Sequence, residues 1–207
     1  MYNPPHFRED RPEVLHQLVK EHSLAVLITV GPDGPIASHV PLMFDGNILR
    51  GHLSRANPQV WQSRSEVPAL AIFQGPSTYV TPSWYAAKQE TGKVVPTFNY
   101  AVVHARGPLT FVEDPQRLEQ HVRALTDLHE QPFEPAWSVD DAPRDFILQQ
   151  LKGIVGIEIA VTEIEGKWKM SQNRAPADRA GVIAGLRALG DADRIEIANW
   201  IAERDKT

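Results

Sequence analysis

A mainly antiparallel β protein with several helices, α+β and most simply a partly closed barrel of six to eight strands, is the fold class this sequence predicts. Three observations carry that prediction. Short β-branched or alternating runs in the first half are punctuated by Gly and Pro turns. The apolar spacing changes from two to about four after Asp114. The 207 residues, 42% hydrophobic and 23% charged, suffice to bury one core and fit a single domain over residues 1–207.

The first element is a helix from Asp10, with Pro12 in its first turn and Glu13 placed for a capping box. Leu24 to Val30 is too short and too β-branched for another helix and reads as a buried strand, ended by Gly31-Pro32-Asp33-Gly34-Pro35. Ile36 to Phe44 and Asn47 to Ser54 form a hairpin about Asp45-Gly46, a type I′ signal. That register sets Leu42 against Leu49 and His39 against His52.

Arg50 to Pro58, RGHLSRANP, runs a strand end into a short helix. Ser54 and Asn57 offer hydrogen-bond donors and Arg55 a fork for oxyanions. Local chemistry alone favours helix capping over anion binding for this stretch. The two histidines have three readings: half of a metal site, a polar rim, or the wall of a ligand pocket beside the Ser54 cradle. With no carboxylate pair or third histidine at a suitable spacing, the pocket reading is the one taken, and no metal ligand is assigned.

Ala69 to Phe73 is the next strand, followed by Thr78 to Tyr85, where Pro82 implies an edge, bulge or exit. Its aromatics serve either as a ring-binding wall or as ordinary packing. Ala86 to Val94 reads as a polar loop. Val95 to Val112 is a long strand bent at Gly107-Pro108. Asp114-Pro115 opens a helix with Leu118, Val122 and Leu125 on one face, and residues 129–153 form a loop and helix excursion. Ile154 to Thr162 is a strand turned at Glu165-Gly166 into Lys167 to Ser171. Two helices, Pro176 to Leu189 and Asp191 to Arg204, close the chain as a hairpin within residues 175–205.

Composition excludes several functions. Zero cysteines leave no disulfide or thiolate zinc site, so redox chemistry requires a bound cofactor. No signal peptide or membrane span is visible, and a cytoplasmic location is expected. The net charge of −5 opposes a broad nucleic-acid face. The last helix carries Asp191, Asp193, Glu196, Glu203 and Asp205 against Arg194 and Arg204, the wrong balance for a groove-reading helix. No G-x-S-x-G, H-E-x-x-H, Walker or G-x-G-x-x-G signature is present, and no residue is assigned as a catalytic acid or base.

Five motifs in order, MYNPPHF, RGHLSRANP, GPSTYVTPSWY, VPTFNYAVVHARG and GKWKMSQNR, resemble the PaiB-type family of FMN-binding negative transcriptional regulators from Met1 to about Leu189. The resemblance implies an FMN-binding split β-barrel with peripheral helices, working as a homodimer with flavin at the subunit interface. It places Ser54, Arg55 and Asn57 at the FMN phosphate and His39 and His52 toward the ribityl chain or ring. It adds Thr81, Ser83, Trp84 and Tyr85, then Asn99 and Tyr100, as wall or interface. Lys169, Ser171, Gln172 and Asn173 match a K-x-S-Q-N segment that covers flavin bound mostly by the partner. Phe98 stands where Trp is common, and Met170 replaces an aliphatic residue. DNA as a partner follows from the family name only. The functions implied are a flavin-binding regulator or, in a different class, an FMN-dependent oxidoreductase using NAD(P)H, or a flavin sensor or store without turnover.

Overall fold

A computed structural model describes residues 1–204, so Asp205 of the expected C-terminal segment lies outside the described residues. The chain divides into two compact units, one of residues 1–18, 74–103 and from 165 onward, the other of residues 19–73 and 104–164. Strands β6 (Ala69–Val80) and β7 (Thr97–Gly107) contribute residues to both.

In the second unit, β2 (Leu24–Gly31) and β3 (Gly34–Pro41) form an antiparallel hairpin closed by Gly31 opposite Gly34. Residues 70–72 of β6 pair with the other edge of β2. The alternating burial of β2 explains its sequence, because Ala25, Leu27 and Thr29 face the interior. A four-stranded antiparallel sheet has the order β4 (Met43–Asp45), β5 (Ile48–Ser54), β9 (Ile154–Ala160) and β8 (Leu109–Val112). Its Leu49, Leu53, Val155, Ile157 and Ile159 are buried. The helices of this unit are the single turn α2 (Gln59–Gln62), α4 (Pro115–Glu130) and α5 (Arg144–Lys152). Leu118, Val139, Ile147 and Leu151 form their own apolar cluster under the excursion. Asp114 caps α4 as anticipated, accepting from the Arg117 amide at 2.8 Å.

The expected single strand Ile36 to Phe44 is two strands, because Leu42 donates its amide to Ser23 O at 2.9 Å and leaves the β2 ladder. The hairpin register also differs. Asp45 pairs with Ile48 and Phe44 with Leu49, so the turn residues are Gly46 and Asn47. Only Gly46 takes positive φ, at 62°, which a type I′ turn would demand of both central residues. His39 therefore pairs with Val26 on β2, and His52 pairs with Gly156 on β9. At Gly107 a Cβ would sit 1.9 Å from Ala160 O, so glycine is required where the chain passes from β7 to β8.

In the first unit, β1 (Arg8–Glu9) pairs with β10 (Glu163–Lys169), and β7 and β6 follow. Helix α1 (Pro12–Glu21) begins in this unit, a 3₁₀ turn Pro82–Trp84 ends β6, and the expected loop after it holds α3 (Ala87–Thr91). The expected turn at Glu165-Gly166 is instead strand. A Cβ on Gly166 would lie 2.2 Å from Leu15 Cδ2 and 2.7 Å from Glu9 O, so this glycine allows close packing. The C-terminal hairpin is present as α6 (Pro176–Leu189) and α7 (Ala192–Arg204), with Gly190 at φ 79° between them. Glu9, 5% exposed, accepts from Arg11 Nε at 2.7 Å and from Arg204 Nη2 at 2.8 Å.

Among the described residues, no helix is long and apolar enough to cross a membrane.

Candidate flavin site

An open groove of about 530 Å³ lies in the second unit where β3, β5, α2 and α5 meet, a size suited to a small-molecule cofactor. Ser38, His39, His52, Ser54, Asn57 and Gln150 supply its polar wall. Among the described residues, no carboxylate lines it.

The RGHLSRANP stretch builds this wall by a chain of local bonds. Ser54 Oγ accepts from the Ala56 amide at 3.3 Å, which leaves its own hydrogen to donate. Asn57 Oδ1 accepts from the Gln59 amide at 2.9 Å and caps α2, while Asn57 Nδ2 donates to Ser38 Oγ at 2.9 Å. Capping and wall-building thus coexist in one side chain. Because α2 is one turn of four residues, its dipole adds little, and the side-chain donors carry the polarity. Behind them the fully buried Gln59 ties the turn down, donating to Thr29 Oγ1 at 2.9 Å.

Arg55 is differently placed. Its Nε donates to Lys152 O at 3.1 Å, its Nη2 to Ile154 O at 3.3 Å, and its Nη1 faces Glu113 at 3.5 Å. The guanidinium braces the α5–β9 junction and does not line the groove.

His52, half-buried on β5, reaches His121 on α4, with Nδ1 and Nε2 3.2 Å apart and the rings edge to face at 5.3 Å. Burial lowers the pKa of His52. Burial, and after it the proximity of His52 and Arg50, holds His121 down to about 4. Both rings are therefore neutral at pH 7. On the far side, His121 lines a recess of about 380 Å³ with Arg50, Arg117 and Glu158. Glu158 Oε1 accepts from Arg50 Nε at 3.1 Å and from Arg117 Nη2 at 2.6 Å.

The remaining candidates gather in the first unit. Thr81 Oγ1 caps the 3₁₀ turn by accepting from the Ser83 amide at 3.2 Å, and Ser83 Oγ accepts from Lys88 Nζ at the same distance. Trp84 lies against α6 so closely that a Cβ on Gly185 would be 2.3 Å from its ring. Tyr85 is 2% exposed under the Arg174 guanidinium, 4.7 Å from its ring centroid, and burial raises the pKa of its hydroxyl. Asn99, fully buried, donates from Nδ2 to Ser171 Oγ at 2.9 Å. Ser171 takes φ 61°, a left-handed conformation unusual for serine. Gln172 closes the same turn, accepting from the Met170 amide and donating to Trp168 O, both at 2.6 Å. Tyr100 sits beneath Lys167, whose Nζ is 5.5 Å from the ring centroid.

Lys169 donates to Phe98 O at 2.7 Å and to Thr97 Oγ1. Its pKa is lowered, first by burial and then by Lys167 and Arg174. With Asn99, Ser171, Asn173 and Arg174 it lines a small recess. Among the described residues, no group of three or more His, Cys, Asp or Glu stands together to hold a metal.

The sequence reading did not include Ser38, Gln150 or His121. Ser38 alternates with exposed neighbours on β3, and Gln150 is one of several polar residues on α5, so neither carries a signal. His121 stands three residues after Leu118 on the apolar face of α4, and that spacing could have revealed it.

The fold is similar to those of solved flavin-binding proteins. The FAD and heme binding protein from Mycobacterium smegmatis superposes with a TM-score of 0.60 at 17% identity, covering 89% of this chain and 80% of that one. The flavocytochrome Anf3 from Azotobacter vinelandii gives 0.60 at 12% identity, covering 84% and 75%. The fold is the split β-barrel of flavin-binding proteins. Residues 1–163 match the family described as "Putative FMN-binding domain", and the chain belongs to that family, which assigns it FMN as cofactor. The "Protease synthase and sporulation protein PAI 2" of Bacillus subtilis is 33% identical over 211 residues, covering 100% of this chain and 99% of the relative. AN0679 of Emericella nidulans is 34% identical over 232 residues, covering 92% of each. The resemblance to PaiB-type proteins is thereby established.

Proposed function

We propose that this chain is a cytoplasmic homodimer that holds FMN in the groove and acts as a PaiB-like flavin-dependent negative regulator of transcription. One observation carries the ligand's placement. Ser38, Ser54, Asn57 and His52 bring neutral donors to one carboxylate-free wall, which suits the oxygens of a phosphate and a ribityl chain.

When bound, FMN supplies hydride and single-electron chemistry. The chain's own residues hold and orient it. Ser54 and Asn57 receive the phosphate end, and His39 and His52 face the ribityl chain or ring. Arg55 fixes the α5–β9 junction behind the phosphate position. In the homodimer, the segment Lys169, Ser171, Gln172 and Asn173 of a second copy covers the flavin, with Thr81, Ser83, Trp84, Tyr85, Asn99 and Tyr100 shaping that cover. Exposed aromatics support such pairing. Tyr79 on β6 and Phe98 on β7 stack edge to face at 5.7 Å while about half exposed, and Phe98 is itself a backbone partner of Lys169.

The regulatory role rests on the name of the PaiB-type family that the chain resembles, and the acidic α7 makes a contact with DNA through that helix unfavourable. The test pairs NAD(P)H oxidation by purified holoprotein with promoter-DNA binding at physiological salt. Specific DNA binding that depends on flavin, without turnover, is the expected result. Turnover without specific binding would replace the regulator with an FMN-dependent oxidoreductase, and neither would leave a flavin sensor or store.

A further inference from the structure

Two neutral imidazoles facing each other at 3.2 Å share a single hydrogen, and the structure decides which ring supplies it. His121 Nδ1 is buried and has no hydrogen-bond partner. If His52 Nδ1 donated, His121 Nε2 would be the acceptor and its proton would have to sit on Nδ1, a buried N–H with nothing to bond. If His121 Nε2 donates, the buried Nδ1 is only an unpaired acceptor, the smaller penalty.

We propose that His121 is a positioning residue that donates from Nε2 to His52 Nδ1 and so fixes His52 as the tautomer with its proton on Nε2. The consequence is local to the groove. His52 Nδ1 is consumed by His121, and the nitrogen left on this groove-lining ring is an N–H donor. The wall then offers a donor at every polar point from Ser54 and Asn57 to His52, and it selects an oxygen or nitrogen acceptor of the ligand.

Protonating His52 would reverse the bond, because its Nδ1–H would force His121 to the Nδ1–H form. Burial opposes charge on His52, and the Arg50 cation on β5 opposes charge on His121. Glu158 on β9 favours charge on His121, but it already accepts from Arg50 and Arg117. His39 lines the same groove as His52 from β3, and Arg117 on α4 lines the same recess as His121. The tautomer is a property of the chain alone, whereas its use by a ligand rests on the FMN reading above.

The experiment is ¹⁵N-resolved NMR of the histidine rings in flavin-free protein at pH 7, beside FMN titrations of the same samples. His52 is expected as the Nε2–H tautomer in the wild type and in His121→Gln, whose amide can also donate. In His121→Leu it should revert to a tautomer mixture, with FMN bound roughly tenfold more weakly, while His121→Gln stays within about threefold of wild type. An Nδ1–H tautomer at His52 in the wild type, or an Nε2–H tautomer unchanged in a folded His121→Leu, overturns the proposal. Should His121→Leu not fold, the wild-type and His121→Gln spectra decide. If the tautomers behave as expected while FMN affinity ignores both His121→Leu and Ser54→Ala, the positioning role stands and the groove is not the flavin site.

Discussion

Replacing His121 by Gln should flatten the acid limb of the protein's stability profile. His121 is 9% exposed, and its pKa is lowered to about 4 by burial, by His52 and by Arg50, with Glu158 opposing. In the unfolded chain an ordinary histidine titrates near 6.5. The unfolded state therefore binds more protons as pH falls, so the stability contributed by the neutral ring is present above about pH 6.5 and is lost as pH falls toward 4. Integrating that difference gives a loss of about 2 kcal/mol between pH 7.5 and pH 5. Urea unfolding of wild type and His121→Gln at both pH values measures it. Wild type should lose about 2 kcal/mol more than the variant, since carboxylates common to both cancel in the comparison. Equal losses would show that His121 is not held neutral in the folded protein.

Three further outcomes follow from packing and charge. Gly185→Ala puts a methyl into the Trp84 ring, and overpacking of this kind costs about 1–3 kcal/mol; a thermal scan should show a lowered midpoint, and an unchanged one would mean that α6 is not seated on Trp84. Glu9→Gln removes a buried carboxylate from between Arg11 and Arg204 and should cost about 3 kcal/mol in urea unfolding at pH 7. Burial raises the Glu9 pKa but Arg11 and Arg204 outweigh it, so its contribution should fade as pH falls below the ordinary carboxylate range. Asn57→Ala loses both the α2 cap and the bond to Ser38 and should cost about 1 kcal/mol; no loss would mean the turn is held by Gln59 alone.

The elements whose patterns are local were readable in the chain. β2, α4 with its Asp114 cap, and the C-terminal hairpin about Gly190 stand where periodicity and capping placed them. What failed depended on tertiary contacts. The Asp45-Gly46 signal was displaced by one residue, with Leu42 leaving the β2 ladder by its bond to Ser23, and that moved His39 and His52 onto different ladders. They nevertheless line one groove, because β3 and β5 both border it. Gly166 read as a turn residue when its role is to admit Leu15 of α1 and the Glu9 carbonyl of β1, a requirement set by elements far away at the start of the chain. Ser54 and Asn57 were legible as an anion wall or a cap, and in the structure Asn57 accepts from the Gln59 amide while it lines the groove. The bracing of the α5–β9 junction by Arg55 could not be read, since its partners are backbone carbonyls.

The most direct test of the account is titration of flavin-free protein with FMN and with riboflavin, for wild type and Ser54→Ala. FMN should bind one per chain and more tightly than riboflavin, and Ser54→Ala should weaken FMN by about 1 kcal/mol, roughly fivefold, while leaving riboflavin almost unchanged. Equal affinity for the two flavins, or equal losses in the variant, would contradict the placement of the phosphate at Ser54 and Asn57.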